Sequence, residues 1–382
     1  MTAGTGIAVV GVAESDLGMS PPDTTPVDLM GQATVRALRD AGLAPDDVDG
    51  VFATTSQLRM APLALCEYLG LTPRHFDGTN IGGASFMTHV GRAVAALRAG
   101  HCNVALIAYG STQRSVGRAA ASPREPDPYE TPYRPILPPS AYAMAAARHM
   151  HLYGTTREQL AEVAVAARKW AQLNPKAWTK KPLTIEDVLE SPMVSSPLTV
   201  RDCCLVTDGG GAMVLTRADR ARDLARPAVH VLGHGEWLSH QSISRMPELT
   251  QTGAVHSGAQ AYKMAGLQAS DVDVAILYDA FTICTLLFLE DLGFCAKGEA
   301  GAFVEGGGIA PGGRLPVNTN GGGLSYCHPG MYGLLAMVEA VRQLRGECGD
   351  RQVADPRVAL AHGNGGVLSS ECTVLFGAAD SV

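Results

Sequence analysis

The chain carries an internal repeat, and this repeat restricts its fold more than any other feature of the sequence. The segment Gly42–Asp49 returns later as Gly266–Asp273, with glycine and leucine first and acidic residues after them. In both copies an alanine-bearing helical stretch precedes the segment and a short apolar stretch follows it. Each copy therefore fits a short capped turn that leads into a buried strand.

Two further matches occur in the same order along the chain. Ala93–Arg98 matches Ala340–Arg345, and each of these helical stretches leads to another apolar strand. A looser match pairs the strand Gly6–Gly11 with Ala228–Gly233. Three matches in one order favour an ancestral duplication over chance similarity.

The duplication predicts an α/β fold made of two related halves, residues 1–222 and 226–382. Each half reads as strand, helix, strand, helix, strand, and its near-continuous apolar strands are typical of sheets covered on both faces. Two such halves packed together direct helix N-termini and glycine-rich turns toward a shared crevice, where α/β sheets usually bind ligands. We therefore expect the functional site between the halves.

One segment, at about residues 111–190, has no counterpart in the second half. It contains a proline-rich stretch, Ser122–Tyr129, followed by a predicted helix, Ala141–Tyr153. Thr155 or Thr156 is placed to cap a second helix. An insertion of this size on a duplicated core forms either a lid over the substrate or a structural or dimer-contact layer, and the sequence leaves both interpretations open.

Composition excludes several classes of function. The net charge of −7 disfavours nucleic acid or an anionic membrane surface as the main partner. There is no run of eighteen apolar residues, and the start Met1–Gly4 does not resemble a signal peptide. Nine scattered cysteines without a Cys-x-x-Cys spacing predict reduced thiols and no metal site. We expect a cytoplasmic protein that binds neither membrane nor nucleic acid.

Four glycine-rich or polar stretches stand out from the apolar pattern. Asn80–Ser85 leads into the amphipathic stretch Met87–Gly100, and Tyr278–Thr282 follows a predicted strand. The third, Asn318–Gly333, contains a His-Pro-Gly sequence that begins at His328, and the fourth is His362–Gly366.

These stretches resemble the signatures of the thiolase superfamily, and within it the sterol-carrier and lipid-transfer-protein type. The resemblance also covers Leu205–Ala212 and Tyr153–Glu158, so that it spans nearly the whole chain. It implies a thiolase fold, in which the duplicated halves form a layered α-β-α-β-α core with a lid or loop insertion. It also implies a coenzyme A thioester as substrate, with no covalently bound cofactor.

The chain departs from the thiolase pattern at the residues that carry thiolase chemistry. Gly83, or a glycine beside it, stands where thiolases have the nucleophilic cysteine, and His362 replaces the second cysteine. Tyr278 replaces the family's asparagine, whereas His328 keeps the family's histidine. This pattern resembles the lipid-transfer-protein aldolases, which cleave a β-hydroxyacyl-CoA by a retro-aldol reaction, although a second tyrosine is common there at the position of His328.

A retro-aldol reaction needs no covalent nucleophile. It needs a base for the β-hydroxyl proton, donors around the thioester oxygen and an acid for the enolate carbon. Tyr278 and His328 are the predicted acid and base. His362 either lowers the pKa of Tyr278 or donates to the oxyanion, and Asp279 either orients one of these groups or makes a structural hydrogen bond.

Glycine turns and basic side chains complete the predicted site. We expect four residues to bind the thioester oxygen or the substrate: Gly83, Tyr326, Gly365 and Gly366. Several basic residues either attract the phosphates of coenzyme A or are solvated surface charges: Arg114, Arg118, Arg124, Lys180 and Lys181.

Three functions stay open at this point. The first is retro-aldol cleavage of a bulky β-hydroxyacyl-CoA, of the steroid or lipid side-chain type. The second is acyl transfer like that of an acetyl-CoA acetyltransferase or 3-ketoacyl-CoA thiolase, for which Cys327, beside His328, is the candidate thiol. The third is a non-catalytic acyl-CoA-binding subunit. The resemblance also implies a homodimer and a small OB-fold, zinc-ribbon partner protein.

Overall fold

The computed structural model describes residues 4–117 and 127–379. Most of the proline-rich stretch Ser122–Tyr129, together with Arg118 and Arg124, lies outside the described residues. Within the described residues, nine strands form one mixed sheet and two short strands form a separate pair. The strands are β1 (Ile7–Glu14), β2 (Gly50–Ala53), β3 (His75–Asp77), β4 (Val104–Ser111), β5 (Met193–Ser195), β6 (Leu198–Thr199), β7 (Gly209–Arg217), β8 (Val229–Leu238), β9 (Val274–Leu277), β10 (Val358–Gly365) and β11 (Ser370–Gly377).

Twelve helices are present in the described part of the chain. They are α1 (Pro26–Ala41), α2 (Ala61–Leu69), α3 (Ser85–Arg98), α4 (Gln113–Val116), α5 (Pro139–Tyr153), α6 (Arg157–Gln172), α7 (Ile185–Leu189), α8 (Ala218–Ala221), α9 (Ala254–Ala265), α10 (Thr282–Asp291), α11 (Ala300–Val304) and α12 (Gly333–Leu344). Among them, none has the length and apolar character needed to cross a lipid bilayer.

The sheet repeats one topology in its two parts. Its strand order is β3-β2-β4-β7-β1-β8-β11-β10-β9. In the first part β2 is parallel to β4, and β7 is antiparallel to both β4 and β1. In the second part β9 is parallel to β10, and β11 is antiparallel to both β10 and β8. The parts join where β1 and β8 pair over two residues. The division of the chain near residues 222–226 stays a prediction.

The helices form layers around this sheet. The helices α3 and α12 contact each other and strands from both parts of the sheet. The helix α1 packs mainly on strands of the first part, and α9 packs mainly on strands of the second part. The layers are therefore helix, first part of the sheet, helix, second part of the sheet, helix. The strands β1, β4, β10 and β11 are buried along their whole length.

The repeated sequence segments form equivalent turns. The helices α1 and α9 both end at a glycine in the left-handed conformation, Gly42 and Gly266. A short 3₁₀ turn follows each of them, at Pro45–Asp47 and Ala269–Asp271. An aspartate in each turn accepts a hydrogen bond from the backbone at the start of its own turn, as the capped-turn pattern predicted.

The insertion contributes the helices α5 and α6. Of the two threonines that were predicted to cap the second helix, Thr156 is the one that caps α6. A buried polar cluster joins α5 to the second half. The His149 ring lies 2.7 Å from the Thr155 hydroxyl and 3.1 Å from the Glu290 carboxylate on α10. Cys203 and Cys204 lie outside the named strands and are partly exposed.

A buried carboxylate, Glu14 at the end of β1, joins four parts of the molecule. It forms a two-point ion pair with Arg342 of α12 and a 3.0 Å ion pair with Lys176 of the insertion. The hydroxyl of Tyr326, in the glycine-rich loop, donates to it over 2.9 Å. Burial alone would raise the pKa of Glu14, but the two cations outweigh it and hold this pKa far below its ordinary value.

We predict that Glu14→Gln lowers the free energy of unfolding by about 3 kcal/mol, because it leaves Arg342 buried without its counter-charge. The depressed pKa means that Glu14 stabilises the fold above the ordinary glutamate pKa of 4.5, and that this contribution is lost as the pH falls. Urea denaturation at several pH values measures both effects.

The control is Glu236→Gln, which breaks an exposed ion pair with Arg92 and is expected to cost less than about 1 kcal/mol. Equal costs for Glu14→Gln and Glu236→Gln would contradict the central role of Glu14.

Candidate active site

Two predicted residues meet at the junction of the halves. Tyr278 directly follows β9, and its hydroxyl lies 3.0 Å from Nε2 of His328. The two rings meet edge to face, with centroids 5.6 Å apart. The backbone N–H of Tyr332 donates to the Tyr278 hydroxyl over 3.1 Å. The structure therefore couples a phenol to an imidazole and places a fixed donor on the phenol oxygen.

Tyr278 carries its proton in this setting. The side chain is 4% exposed, and burial raises the pKa of Tyr278 well above its ordinary value, although the Tyr332 amide acts in the opposite direction. The phenol can donate to Nε2 of His328 or to the Gly330 carbonyl, which lies 3.4 Å away. A neutral His328 can thus accept the Tyr278 proton while Tyr278 takes a proton from elsewhere.

The Tyr278 ring fits beside His328 because Gly83, which faces it, has no side chain. A Cβ atom on residue 83 would lie 2.2 Å from Cε2 and 2.6 Å from Cζ of Tyr278. It would also lie 2.6 Å from the backbone oxygen of Asn364. The tyrosine ring therefore fills the space into which a side chain at residue 83 would project, so that a cysteine there and this tyrosine exclude each other.

Asp279 supports the loop that carries His328. It accepts hydrogen bonds from the backbone of Gly323 and Leu324, over 2.6 Å and 3.3 Å. Gly322 has a φ of 61°, and a Cβ there would lie 2.0 Å from the carboxylate, so that only glycine fits. Burial raises the pKa of Asp279 to about 7. Of the two predicted roles, this geometry favours the structural hydrogen bond.

The structure does not bring the His362 ring to the Tyr278–His328 pair. Its nitrogens lie 2.9 Å from the Thr373 hydroxyl and 3.0 Å from the Glu371 carboxylate, and its ring packs on Phe288. Burial lowers the pKa of His362 to about 3. Strand alternation is the reason for this placement, because Gly363, the next residue of β10, is the one that faces α3.

The predicted binding residue Tyr326 also points elsewhere, since its hydroxyl donates to Glu14. The predicted glycines do come together. A Cβ on Gly82 would lie 2.8 Å from Cα of Gly365 and 2.8 Å from the nitrogen of Gly366. A Cβ on Gly365 would lie 1.9 Å from the Ile81 oxygen. The turn at Gly82 and the turn at Gly365–Gly366 thus pack so closely that a side chain on Gly82 or Gly365 would overlap the backbone of the other turn.

The remaining candidates lie in less reactive surroundings. Cys327 is fully buried, and burial raises the pKa of its thiol well above the ordinary value, which keeps it protonated. The Arg114 guanidinium donates to the Val206 carbonyl and stacks over Trp178, while Lys180 donates to the Pro175 carbonyl. Arg114 therefore borders the partly exposed segment 203–206.

Sequence reasoning missed two groups that build this site, the side chain of Tyr142 and the backbone amide of Tyr332. Tyr142 of α5 stacks on Phe281 with ring centroids 4.4 Å apart, and its hydroxyl accepts a 2.9 Å hydrogen bond from Asn364. Tyr332 contributes its backbone amide to Tyr278. Neither contact has a signal in the sequence, because one joins the insertion to the second half and the other depends on a backbone group.

Comparisons with known proteins agree with this geometry. A family model described as thiolase C-terminal domain-like matches residues 235–378. The chain is 36% identical to a 17-hydroxy-3-oxo-4-pregnene-20-carboxyl-CoA lyase of Mycobacterium tuberculosis, over 89% of this chain and 91% of that protein. It is 32% identical to an acetyl-CoA acetyltransferase of Methanothermobacter thermautotrophicus, over 97% of this chain and 99% of that protein.

A solved structure described as Ltp2-ChsH2(DUF35) aldolase superposes on the chain with a TM-score of 0.86. The two are 32% identical, and the match covers 99% of each chain. The chain belongs to the thiolase superfamily, in its sterol-carrier-protein type branch, as the sequence resemblance predicted. These relatives also bear out the predicted class of enzyme, a carbon–carbon lyase on a thiolase fold.

Within residues 4–117 and 127–379, no group of three or more histidine, cysteine, aspartate or glutamate side chains is arranged to hold a metal ion.

We predict that Gly83→Ala lowers the free energy of unfolding by roughly 1–3 kcal/mol, because the new methyl group overlaps the Tyr278 ring. The cost should be smaller when Tyr278→Ala is present, since the smaller side chain frees part of that space. Urea denaturation of the two single variants and the double variant measures this coupling. An equal cost in both backgrounds would show that the Asn364 backbone, rather than Tyr278, restricts residue 83.

Proposed function

We propose that the chain is an acyl-CoA aldolase that cleaves a β-hydroxyacyl-CoA by a retro-aldol reaction without a covalent acyl-enzyme. The observation that carries the proposal is the Tyr278 phenol on Nε2 of His328, in the space that faces Gly83. A thiolase needs a thiolate there, whereas a retro-aldolase needs a proton relay.

The first step of the proposed reaction is removal of the β-hydroxyl proton. Tyr278 takes this proton as its own proton passes to Nε2 of His328. The Tyr332 amide supports the step because it stabilises negative charge on the Tyr278 oxygen. The C–O bond of the substrate becomes a carbonyl, and the bond between the α and β carbons breaks.

The electron pair of the broken bond moves to the α carbon and the thioester, which form an enolate. We assign the enolate oxygen to the interlocked turns Gly82–Gly83 and Gly365–Gly366, because Gly83 lies directly against Tyr278 and glycine has no side chain to cover a backbone amide. The proton held on His328 then returns through Tyr278 to the α carbon. The products are a ketone or aldehyde and a shortened acyl-CoA.

The substrate class follows from the relatives. The lyase of M. tuberculosis is named for a pregnene carboxyl-CoA, and this chain covers most of that protein's length. We propose a bulky β-hydroxyacyl-CoA of the steroid side-chain type, which enters past the partly exposed segment 203–206 with Arg114 beside it. This segment contacts the active-site turn, because the Cys204 backbone donates to the Ala280 carbonyl over 2.9 Å.

Acyl transfer is the second candidate, and the similarity to an acetyl-CoA acetyltransferase favours it. It requires a thiolate within reach of the substrate. Cys327 is buried and its thiol pKa is raised, so that it does not meet this requirement. A non-catalytic subunit is the third candidate. The 3.0 Å contact between Tyr278 and His328 argues against it, because a subunit without catalysis has no need to keep an acid and a base in contact.

We predict that Tyr278→Phe and His328→Ala each lower kcat for cleavage by at least about 100-fold, since each removes one member of the proton relay. His362→Gln should instead lower the free energy of unfolding by about 1–3 kcal/mol and leave kcat within about threefold, because its ring bonds only structural partners in the described structure. Product release is followed by mass spectrometry on β-hydroxyacyl-CoA thioesters.

The mass of the intact protein after incubation with an acyl-CoA provides the control, and no acyl adduct is expected. An adduct on Cys327 would favour acyl transfer, and wild-type kcat in both Tyr278→Phe and His328→Ala would remove the proposed site.

We also propose that the protein is a homodimer and binds a small OB-fold, zinc-ribbon partner. The short strand β3 lies at one edge of the sheet, and its residue Phe76 is 70% exposed. An open strand edge with an exposed aromatic side chain is a suitable surface for a second copy. The aldolase of known structure is described together with ChsH2(DUF35), which supports a partner for this chain.

We predict that light scattering of the purified chain gives the mass of a dimer and that Phe76→Asp shifts it toward the monomer. Phe303→Asp, at a partly buried side chain remote from β3 in the topology, tests whether any added charge has this effect. A monomeric wild type would contradict the dimer. Cleavage by the chain alone at the same rate as the complex purified from its host would contradict the need for a partner.

A further inference from the structure

The loop His328–Tyr332 rests on two tyrosine hydroxyls, and only one of them belongs to the proposed proton relay. The second is Tyr109 on β4, in the first half of the chain. Its hydroxyl donates a short hydrogen bond to the Pro329 carbonyl and accepts one from the Met331 N–H over 3.1 Å. Both hydrogen-bonding functions of this hydroxyl are therefore used to hold the loop.

Other contacts hold the same loop close to the first half. Gly330 has a φ of 91°, and a Cβ there would lie 2.2 Å from the Gln113 side-chain oxygen, so that only glycine permits this approach. Thr207 holds the start of the loop. Its hydroxyl accepts from the His328 N–H over 3.0 Å, and its own N–H donates to the His328 carbonyl over 3.2 Å.

The surroundings of Tyr109 are rigid. Its side chain is 1% exposed and packs against Phe86 of α3, with ring centroids 4.9 Å apart. Burial raises the pKa of Tyr109, which keeps the hydroxyl protonated as the donor to Pro329. The helix α3 starts just after Gly83, so that the same packing links Tyr109 to the wall facing Tyr278.

We propose that Tyr109 and Thr207 are positioning residues for the reaction: the first half holds the His328–Tyr332 loop through them and so sets the Tyr278–His328 contact. The loop presents two groups to Tyr278, Nε2 of His328 and the N–H of Tyr332, at 3.0 Å and 3.1 Å. Tyr109 forms hydrogen bonds with Pro329 and Met331, which lie between these two groups. Thr207 forms hydrogen bonds with the backbone of His328 itself.

This inference rests on the proposed function, because the contact that Tyr109 and Thr207 position is the proposed proton relay of Tyr278 and His328. Tyr109→Phe keeps the ring but leaves the Pro329 carbonyl and the Met331 N–H buried without a hydroxyl partner. The loop then relaxes, and the hydrogen bond from Tyr278 to neutral His328 weakens.

The test compares wild type with Tyr109→Phe and Thr207→Val, both of which keep side-chain volume. We expect kcat for cleavage to fall at least about tenfold in each variant while KM changes less than about threefold, because the substrate is still bound but the relay is misaligned. The acidic limb of the kcat profile should shift as well, because proton transfer between Tyr278 and His328 depends on their hydrogen bond. A residue that only stabilised the fold would not move this limb.

Tyr262→Phe is the matched control, since it removes a 3.1 Å hydrogen bond from a tyrosine hydroxyl to the Leu292 carbonyl, away from the loop. It should lower the urea midpoint without changing kcat or the pH profile. Active wild-type protein with unchanged kcat and pH profile in Thr207→Val or Tyr109→Phe would overturn the inference while leaving the proposed function intact. Wild type without any cleavage would instead overturn the proposed function, and Thr207→Val decides the inference if Tyr109→Phe does not fold.

Discussion

The buried carboxylate of Glu14 is the interaction on which the arrangement of this protein depends. It lies at the end of the first strand, yet its partners come from a helix of the second half, from the insertion and from the glycine-rich loop. A carboxylate deprived of water needs such partners, and three elements must keep their places to provide them. The loop that carries His328 is thereby fixed to the first half.

The reactive geometry follows from a steric exclusion at the junction of the halves. A glycine at residue 83 leaves room for a tyrosine ring, and this ring reaches the histidine that the family retains. The proposed proton relay thus occupies the place at which the thiolase resemblance puts a covalent nucleophile. The same sheets, helices and glycine turns serve both arrangements, which is why the fold alone does not reveal the reaction.

Part of this site could be predicted from the sequence. Tyr278 and His328 each follow a recognisable local pattern, and the structure places them in contact. His362 was predicted to join them because it stands in the motif of the second thiolase cysteine. Residues next to each other in a strand point to opposite faces, however, and the alignment of a motif does not state which face a longer side chain will occupy. Tyr326 lies away from this pair for a related reason, because the buried carboxylate of Glu14, on a distant strand, accepts a hydrogen bond from its hydroxyl.

The sequence by itself determined the duplicated α/β fold, the missing cysteine and the identity of the tyrosine and histidine, because repeats, apolar periodicity and short motifs are local properties of a chain. Only the tertiary structure decided which of these groups meet. The overlap of Gly83 with Tyr278, the amide of Tyr332 on the phenol and the support of the loop by Tyr109 all join residues far apart in sequence. Such contacts depend on how two sheets and a shared helix layer pack at close range, and no local pattern of residues encodes that packing.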